Sequence, residues 1–231
     1  MNSLEDELER ARDLDVDEVA DAIESIGFSC TRCGACCTRE GEDDHTATVF
    51  PDEVRNLADA TDREWRDVAR PMPYGLSKTD DGDLEGETFE WALATDSCGD
   101  CVFYEEDDDG TGACVAHADR PLICRTYPFS LDLSGTSQPM GEAVDSVALP
   151  AHREGDEGGI VQIHECEGLG RDIARADAEE LAATLKARAI RELEEAIALR
   201  DAYEHAAPGP GEVVVHDSEG AKRADGTSLE E

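Results

Sequence analysis

The chain has 231 residues, and its 57 Asp and Glu against 20 Lys and Arg give a formal net charge of −37. So acidic a protein is a poor ligand for nucleic acid and for anionic membranes, and we expect neither as a partner. Hydrophobic residues make up 39% of the sequence, and clear amphipathic segments favour a folded protein over an intrinsically disordered one.

Lysine is scarce even among the cations, with only three lysines in the whole sequence. The acids are spread along the chain rather than gathered in one tail. Concentrated salt screens charges over a few ångströms, so this composition is typical of a protein from a salt-rich cytoplasm. The charge therefore indicates a halophilic environment more than it identifies a partner.

The N-terminal region, residues 1–28, is predicted to form two short helices, because apolar residues recur at helical spacing until Gly27. Its first residues are acidic and lack the basic start and the apolar run of a secretory signal. No stretch approaches the roughly 18 apolar residues of a transmembrane helix. We therefore expect a cytoplasmic protein whose cysteines stay reduced.

Four of the nine cysteines then follow within eight residues, at the spacing C-x2-C-x2-C-C: Cys30, Cys33, Cys36 and Cys37. Thiolates this close repel one another unless a cation lies between them, and bacterial ferredoxins use C-x2-C-x2-C to bind a [4Fe–4S] cluster. Disulfides are the alternative, but a reducing cytoplasm and an odd number of cysteines argue against them. The run therefore indicates a metal or iron–sulfur site.

Between the two cysteine blocks, the sequence alternates between strand and helix signals. Thr46–Phe50 is predicted to be a short strand, and Pro51 with the acids behind it starts a helix. A second helix is expected over Asp62–Ala69. An acidic loop at Asp80–Glu87 then leads to a predicted strand over Thr88–Thr95, which is rich in aromatic and β-favouring residues.

Both cysteine blocks are locally basic in this acidic chain. Residues 30–39 contain two arginines and no acid, and residues 114–130 contain Arg120 and Arg125 against one acid, Asp119. Guanidinium groups stabilise thiolates and tune a metal centre, so we expect Arg120 and Arg125 to support the bound cofactor. Ordinary surface salt bridges are the alternative for each arginine.

The longest periodic segment runs from about Asp177 to His205 and predicts a long helix that packs across the rest of the protein. Residues 206–231 are polar apart from Glu212–Val215, so we expect an acidic tail with one edge strand. The apolar face of the long helix is expected to carry Leu181, Leu185, Ala189, Leu193, Ala196 and Ile197.

The cysteine pattern resembles the YkgJ-like cysteine-cluster family, described as a zinc- or iron-chelating domain. The resemblance covers about residues 28–170. It rests on Cys30-x2-Cys33-Gly-x-Cys36-Cys37, on Cys101-x-Phe103, on Cys114-x5-Arg120-Pro121-x2-Cys124-Arg125-x-Tyr127-Pro128-Phe129 and on Cys166-x-Gly168. It implies eight metal ligands: Cys30, Cys33, Cys36, Cys37, Cys101, Cys114, Cys124 and Cys166. Cys98 lies outside the pattern, and His117 stands where the family commonly has tyrosine.

The identity of the metal is left open between two hypotheses. The first is a [4Fe–4S] cluster on Cys30, Cys33, Cys36 and one remote cysteine; the second is one or two closed four-cysteine zinc sites. Two adjacent cysteines are hard to place on one tetrahedral ion, so Cys36 and Cys37 are expected to serve different roles or different metals. His164 is a candidate nitrogen ligand, although a lone histidine is more often a solvated or core residue.

The cluster motif is also similar to that of flagellin lysine N-methylases, which implies an iron–sulfur protein and, more remotely, a protein methyltransferase. The sequence contains no P-loop, no H-E-x-x-H and no G-x-S-x-G, and no G-x-G-x-x-G after a predicted strand. Catalytic residues and enzymatic activity are therefore left undecided.

Together these elements predict an α+β fold: a small, loop-rich domain stapled by metal, with flanking helices and a long C-terminal helix. The expected boundaries are N-terminal helices at 1–28, a cysteine-cluster domain at 28–170, a packing helix at 171–206 and an acidic tail at 207–231. The expected ligand is a metal ion or cluster, and a protein partner is left open.

Overall fold

The computed structural model describes residues 3–39, 41, 44–133, 143–150 and 160–229. Helices and strands are mixed along them and the last helix is the longest, which confirms the predicted α+β fold with a long C-terminal helix. The described α-helices are α1 (Leu4–Asp13), α2 (Val16–Ile26), α3 (Pro51–Thr61), α4 (Trp65–Val68), α5 (Leu122–Thr126) and α6 (Arg175–Ala202). Among them, none combines the length and the apolar character needed to cross a bilayer.

The described strands are short. They are β1 (Thr48–Val49), β2 (Ala69–Pro71), β3 (Leu76–Lys78), β4 (Leu84–Thr88), β5 (Trp91–Leu93), β6 (Tyr104–Glu106), β7 (Gly112–Cys114), β8 (Phe129–Leu131), β9 (Asp145–Val147), β10 (Val161–Ile163), β11 (Val213–Asp217) and β12 (Gly220–Arg223). One 3-10 helix covers His117–Asp119.

Contacts divide the chain into two compact units, each with its own buried residues. The first unit combines Met1–Cys36, Asp107–Gly112 and Leu122–Glu194, and the second combines Cys37–Glu106, Ala113–Pro121 and Glu195–Glu231. The four-part division predicted from the sequence stays a prediction.

In the first unit, α1 and α2 form where the sequence predicts helices, because each has a polar cap and an apolar face. The Ser3 side chain accepts a hydrogen bond from the backbone of α1, and Asp15 does the same for α2. Gly27 ends α2 with φ of 75°, a left-handed conformation that favours glycine. The buried face of α2 includes Val19 and Ile23.

The core of the first unit lies around a three-stranded antiparallel sheet in the order β8-β10-β9. Phe129 of β8 is fully buried, and Phe28 packs edge-on against it with ring centroids 5.8 Å apart. The α6 helix begins in this unit and buries Leu185, Ala189 and Leu193, three of the residues predicted for its apolar face.

Acidic side chains of the first unit converge on one arginine at the start of α6. Arg175 forms ion pairs with Asp17, Asp21 and Glu24 of α2 and with Glu179 of its own helix. One guanidinium carries a single positive charge against four carboxylates, so this cluster keeps a net negative charge.

The second unit contains a three-stranded sheet, β1-β5-β2, a four-stranded sheet, β12-β11-β4-β3, and the β6-β7 hairpin. In the four-stranded sheet, β11 runs parallel to β4, with Val213 opposite Gly86. Buried polar contacts complete this unit: the Trp91 indole N–H donates to Asp217 over 2.8 Å, and the same carboxylate accepts from Lys222 over 2.7 Å.

The predicted helices and strands of the second unit are confirmed in part and corrected in part. The short strand near residue 48 and the helix that starts at Pro51 are confirmed. The helix expected over Asp62–Ala69 is shorter, because Ala69 already belongs to β2, which pairs with β5. The acidic loop contains β4, and the strand expected at the edge of a sheet is the internal strand β11.

Candidate metal centres

In the first unit, two short segments meet in an antiparallel bridge between Phe28 and Leu169. The backbone N–H of Ser29 donates to the carbonyl oxygen of Gly168 over 3.0 Å. Cys30 directly follows one segment and Cys166 shortly precedes the other. The backbone thus brings the start of the C-x2-C-x2-C run close to a cysteine that is remote in sequence.

Three thiols of the C-x2-C-x2-C run lie within electrostatic reach of Cys166. Burial raises the pKa of Cys166, the backbone N–H of Gly168 lowers it, and the nearby thiols of Cys33, Cys36 and Cys30 raise it further. Because the Coulomb energy falls with distance, this effect indicates that the three cysteines of the run lie on the same side of the unit as Cys166. We call Cys30, Cys33, Cys36 and Cys166 the first thiol set.

Tyr127, which directly follows α5, lies near the same set. Its hydroxyl donates a hydrogen bond to the backbone carbonyl of Glu165 and so tethers the loop that carries Cys166. Burial raises the pKa of Tyr127 to about 12, and the thiolates of Cys166, Cys36 and Cys33 add to the effect. The sequence pattern included Tyr127, but the spacing alone did not indicate its contact with the cysteine loop.

Cys124 lies half-buried on the short helix α5, which a buried arginine holds in place. Arg188 of α6 is fully buried, donates to the hydroxyl of Thr126 over 3.0 Å, and forms an ion pair with Glu192 over 2.7 Å. Arg188 was not among the residues predicted for the buried face of this helix, because that face was predicted from apolar residues alone. The available signal for its burial was its position directly before Ala189, a residue of the predicted apolar face that is buried.

In the second unit, three other cysteines are held close together by backbone contacts. The N–H of Cys101 donates to the carbonyl oxygen of Cys37 over 2.8 Å. Cys114 ends strand β7, which pairs with β6, and the next N–H, of Val115, donates to the carbonyl of Phe103 over 2.9 Å. We call Cys37, Cys101 and Cys114 the second thiol set.

Tyr104 lies beside the second thiol set. Its backbone N–H donates to the carbonyl oxygen of Cys101 over 2.9 Å, and its hydroxyl donates to Glu106 over 2.8 Å. Burial raises the pKa of Tyr104 to about 12, the bond to Glu106 adds to this, and the Cys37 thiolate contributes further. The Cys37 thiol therefore lies near the strand that follows Cys101.

The two arginines predicted to support the cofactor donate hydrogen bonds to oxygen atoms of the protein. The Arg120 guanidinium donates to the carbonyl oxygen of His117 over 3.2 Å. Arg125 is exposed and donates to the hydroxyl of Thr184 over 3.5 Å. A role for either guanidinium beside the sulfurs stays a prediction.

The two remaining candidate metal ligands, His164 and Cys98, differ in their exposure to solvent. His164 is buried, and its Nε2 atom lies 2.8 Å from the hydroxyl of Ser130, so one ring nitrogen already has a hydrogen-bond partner. Cys98 is exposed on a turn where its backbone N–H donates to the Asp96 carboxylate over 2.7 Å.

The donor chemistry fits a thiophilic metal. All nine cysteines are described, and all are thiols rather than disulfides. Across the described ranges, no three or more His, Cys, Asp or Glu side chains are already arranged to hold a metal ion. A metal–sulfur bond of about 2.3 Å therefore requires these thiols to turn inwards. Soft thiolates of this kind suit both zinc and iron–sulfur clusters.

Comparison with known proteins gives a family match. Residues 29–147 match the model of the family CxxCxxCC, described as "Putative zinc- or iron-chelating domain". The match covers just over half of the chain and ends before Cys166. Neither a curated protein nor a solved structure matches the chain.

Proposed function

Because the chain belongs to the CxxCxxCC family of zinc- or iron-chelating domains, we propose that it is a cytoplasmic iron–sulfur protein. In this proposal the first thiol set holds a [4Fe–4S] cluster. All eight cysteines of the family pattern serve as metal ligands, and Arg120 and Arg125 supply positive charge near the sulfurs. The scarcity of lysine and the excess of acids support a salt-rich cytoplasm as the environment.

One observation supports Cys166 as the fourth ligand of this site: its thiol lies within electrostatic reach of the three thiols of the C-x2-C-x2-C run. A [4Fe–4S] cluster takes four cysteine ligands, and this spacing supplies three of them in bacterial ferredoxins. The bridge between Phe28 and Leu169 supports Cys166 as the fourth, because it joins the segment before Cys30 to the segment that follows Cys166.

The same four thiols also suit a closed, structural zinc site, which is the second candidate. The two metals imply different roles. A bound iron–sulfur cluster supplies one-electron chemistry, which fits electron transfer or cluster handling. Zinc has no redox chemistry and would make the first unit the stable core of an interaction module.

Anaerobic purification in molar salt, followed by analysis of iron, sulfide and zinc, tests the proposal. We expect iron and sulfide together, with a broad absorption near roughly 400 nm that bleaches on reduction. Cys166→Ser should lose this absorption, whereas Cys98→Ser, at an exposed cysteine outside the first set, should keep it. Stoichiometric zinc without iron or sulfide would replace the cluster with the zinc site.

A further inference from the structure

We propose that two exposed aromatic rings on the second unit, Phe89 and Tyr203, dock a partner protein by binding an arginine side chain of that partner. Phe89 lies between β4 and β5, and Tyr203 directly follows α6. Neither residue belongs to a thiol set, so the inference goes beyond the proposed function and does not depend on which metal the protein binds.

Three rings form one cluster, which we call the aromatic patch: Phe89, Tyr203 and His216. The ring of Phe89 stacks on that of His216, with centroids 5.6 Å apart and an angle of 24° between the planes. The Tyr203 ring meets both edge-on, with its centroid 5.4 Å from Phe89 and 4.9 Å from His216. His216 is buried, whereas Phe89 is 44% and Tyr203 42% exposed. One buried ring therefore supports two rings that are open to solvent.

Hydrogen bonds to one carboxylate hold the aromatic patch in place. Glu87 accepts from Nε2 of His216 over 2.8 Å and from the Tyr203 hydroxyl over 3.4 Å. The same side chain accepts from the backbone N–H of Ala206 over 2.7 Å. Rings that are ordered before binding lose little conformational entropy when a ligand arrives. The carboxylate also places negative charge beside rings whose faces already attract cations.

Two other aromatic rings of the same unit already have a cation over them. The Arg63 guanidinium lies 4.9 Å from the ring centroid of Phe103, and the Lys222 ammonium lies 5.4 Å from that of Trp65. Within the described part of the chain, no Lys or Arg lies in this way over the exposed rings of the aromatic patch. Their faces are therefore open to a cation from another molecule.

The sequence around the aromatic patch contains acids but no Lys or Arg. Residues 79–119, which include Phe89, have neither cation, and residues 201–221, which include Tyr203, have neither as well. Arg200, directly before the second range, forms an ion pair with Asp201 over 2.9 Å. The surroundings of the patch are therefore complementary in charge to a basic partner.

Charge and chemistry select the occupant of the aromatic patch. The net charge of −37 repels a second copy of this chain, and an apolar partner would desolvate the nearby acids without compensating their charge. A guanidinium is planar, weakly hydrated and stacks on aromatic faces, so it suits these rings better than an ammonium does. Concentrated salt screens charges beyond a few ångströms, but a cation in direct contact with a ring still gains binding energy.

Nuclear magnetic resonance of the full chain in molar KCl, with labelled Phe and Tyr rings, tests this docking. The probe is an acetylated and amidated Gly-Gly-Arg-Gly-Gly peptide. Its matched control carries citrulline, which has a similar shape and no charge. We expect the arginine peptide to shift the ring signals of Phe89 and Tyr203 to saturation, and the citrulline peptide to bind about three- to tenfold more weakly. The signal of Tyr74, which is 69% exposed and lies outside the patch, should not move.

Substitutions then test the rings themselves. Phe89→Leu and Tyr203→Leu each keep an apolar side chain and remove one ring, so each should weaken binding of the arginine peptide by about two- to fivefold. Tyr74→Leu makes the same change at an exposed ring elsewhere and should bind like wild type. Circular dichroism identifies a variant that has unfolded, and the other variant of the patch then provides the test.

Three results would overturn the inference. Equal binding of the arginine and citrulline peptides would show that the surface does not select a cation. Wild-type affinity in both Phe89→Leu and Tyr203→Leu would show that the rings do not bind the guanidinium. Equal shifts at Tyr74 and at the patch would show diffuse attraction to an acidic surface in place of a defined docking site.

Discussion

The backbone N–H of Gly168 donates a hydrogen bond to the Sγ atom of Cys166 over 3.3 Å. The same glycine packs so closely that an added Cβ would lie 2.6 Å from the carbonyl oxygen of Ser29 and 2.9 Å from the ring of Phe28. The missing side chain at this position therefore allows the close contact with the segment before Cys30.

Gly168→Ala should weaken the first thiol set. The new methyl group would meet backbone that cannot easily yield, so we expect the free energy of unfolding to fall by about 1–3 kcal/mol, together with the iron content. Chemical denaturation and metal analysis measure the two effects. Gly209→Ala is the matched control, since its Cβ would meet only the flexible Glu212 side chain, at 3.2 Å. Equal losses in both variants would contradict the argument.

Replacing predicted ligands should lower metal content and stability together. Metal binding contributes folding free energy to a loop-rich region, so Cys33→Ser and Cys124→Ser should each lower the free energy of unfolding by at least about 2 kcal/mol. Cys98→Ser should change it by less than about 0.5 kcal/mol, because this exposed residue lies outside the family pattern. A folded, metal-free wild-type protein with reactive cysteines would refute the prediction.

The buried Arg188 should stabilise the helix that carries Cys124. Arg188→Ala removes the bond to Thr126, the ion pair with Glu192 and the packed side chain, so we expect a loss of about 2–4 kcal/mol. Arg188→Met restores most of the volume but neither polar contact, and should lose about half as much. Urea unfolding measures both. Wild-type stability in Arg188→Met would show that packing alone matters here.

A carboxylate of the second unit should make stability depend on pH. Burial raises the pKa of Glu87, but bonds from the Ala206 N–H, His216 and His205 outweigh it and lower the pKa from 4.5 to about 2. A lowered pKa stabilises the fold above the unfolded value of 4.5, and this contribution disappears as pH falls towards 2. After discounting for solvent screening, we expect it to be about 1–2 kcal/mol.

Glu87→Gln therefore should lose stability at neutral pH and approach wild type as the solution is acidified. Urea unfolding of both proteins across this pH range gives the difference, in which effects of acid on metal binding largely cancel. Glu105→Gln removes the same charge from an exposed position and should resemble wild type throughout. A constant difference between Glu87→Gln and wild type at every pH would argue against the ionised carboxylate as its source.

Low salt should loosen the protein and release its metal. The screening length rises from about 3 Å in 1 M salt to about 30 Å in 0.01 M salt, so the repulsion among 57 acids grows on dilution. The repulsion should grow first among the four carboxylates around Arg175, because they lie close together. Circular dichroism and bound metal, followed together during dialysis from molar KCl, report the change. Full retention of both in dilute buffer would contradict a halophilic adaptation.

Elements with local signals were predictable from the sequence. The caps of α1 and α2 and the proline that starts α3 act on neighbouring residues, so their effect can be read without knowing the fold. The strand β4 was not predictable in this way. Its residues look like an acidic loop, and they become a strand only because β3 and the remote β11 supply hydrogen-bonding partners.

The candidate site shows the same limit. The C-x2-C-x2-C run and the family pattern identify the cysteines, but spacing cannot say which thiols meet. Backbone hydrogen bonds between distant segments bring Cys166 near Cys30 and Cys37 near Cys101, and the spacing of the cysteines does not predict these bonds. Arg188 was missed for a related reason, since a buried arginine needs the hydroxyl of Thr126, which lies on another helix.

The parallel pairing of β4 with β11 has a consequence during protein synthesis. The ribosome makes β4 well before β11, and at about 5–20 residues per second the delay lasts about 6–25 seconds. Throughout that interval one edge of β4 has no strand beside it, and an open edge can pair with another chain. Glu85 and Glu87 are negatively charged residues of β4. During this interval their charge can repel the β4 strands of other nascent chains.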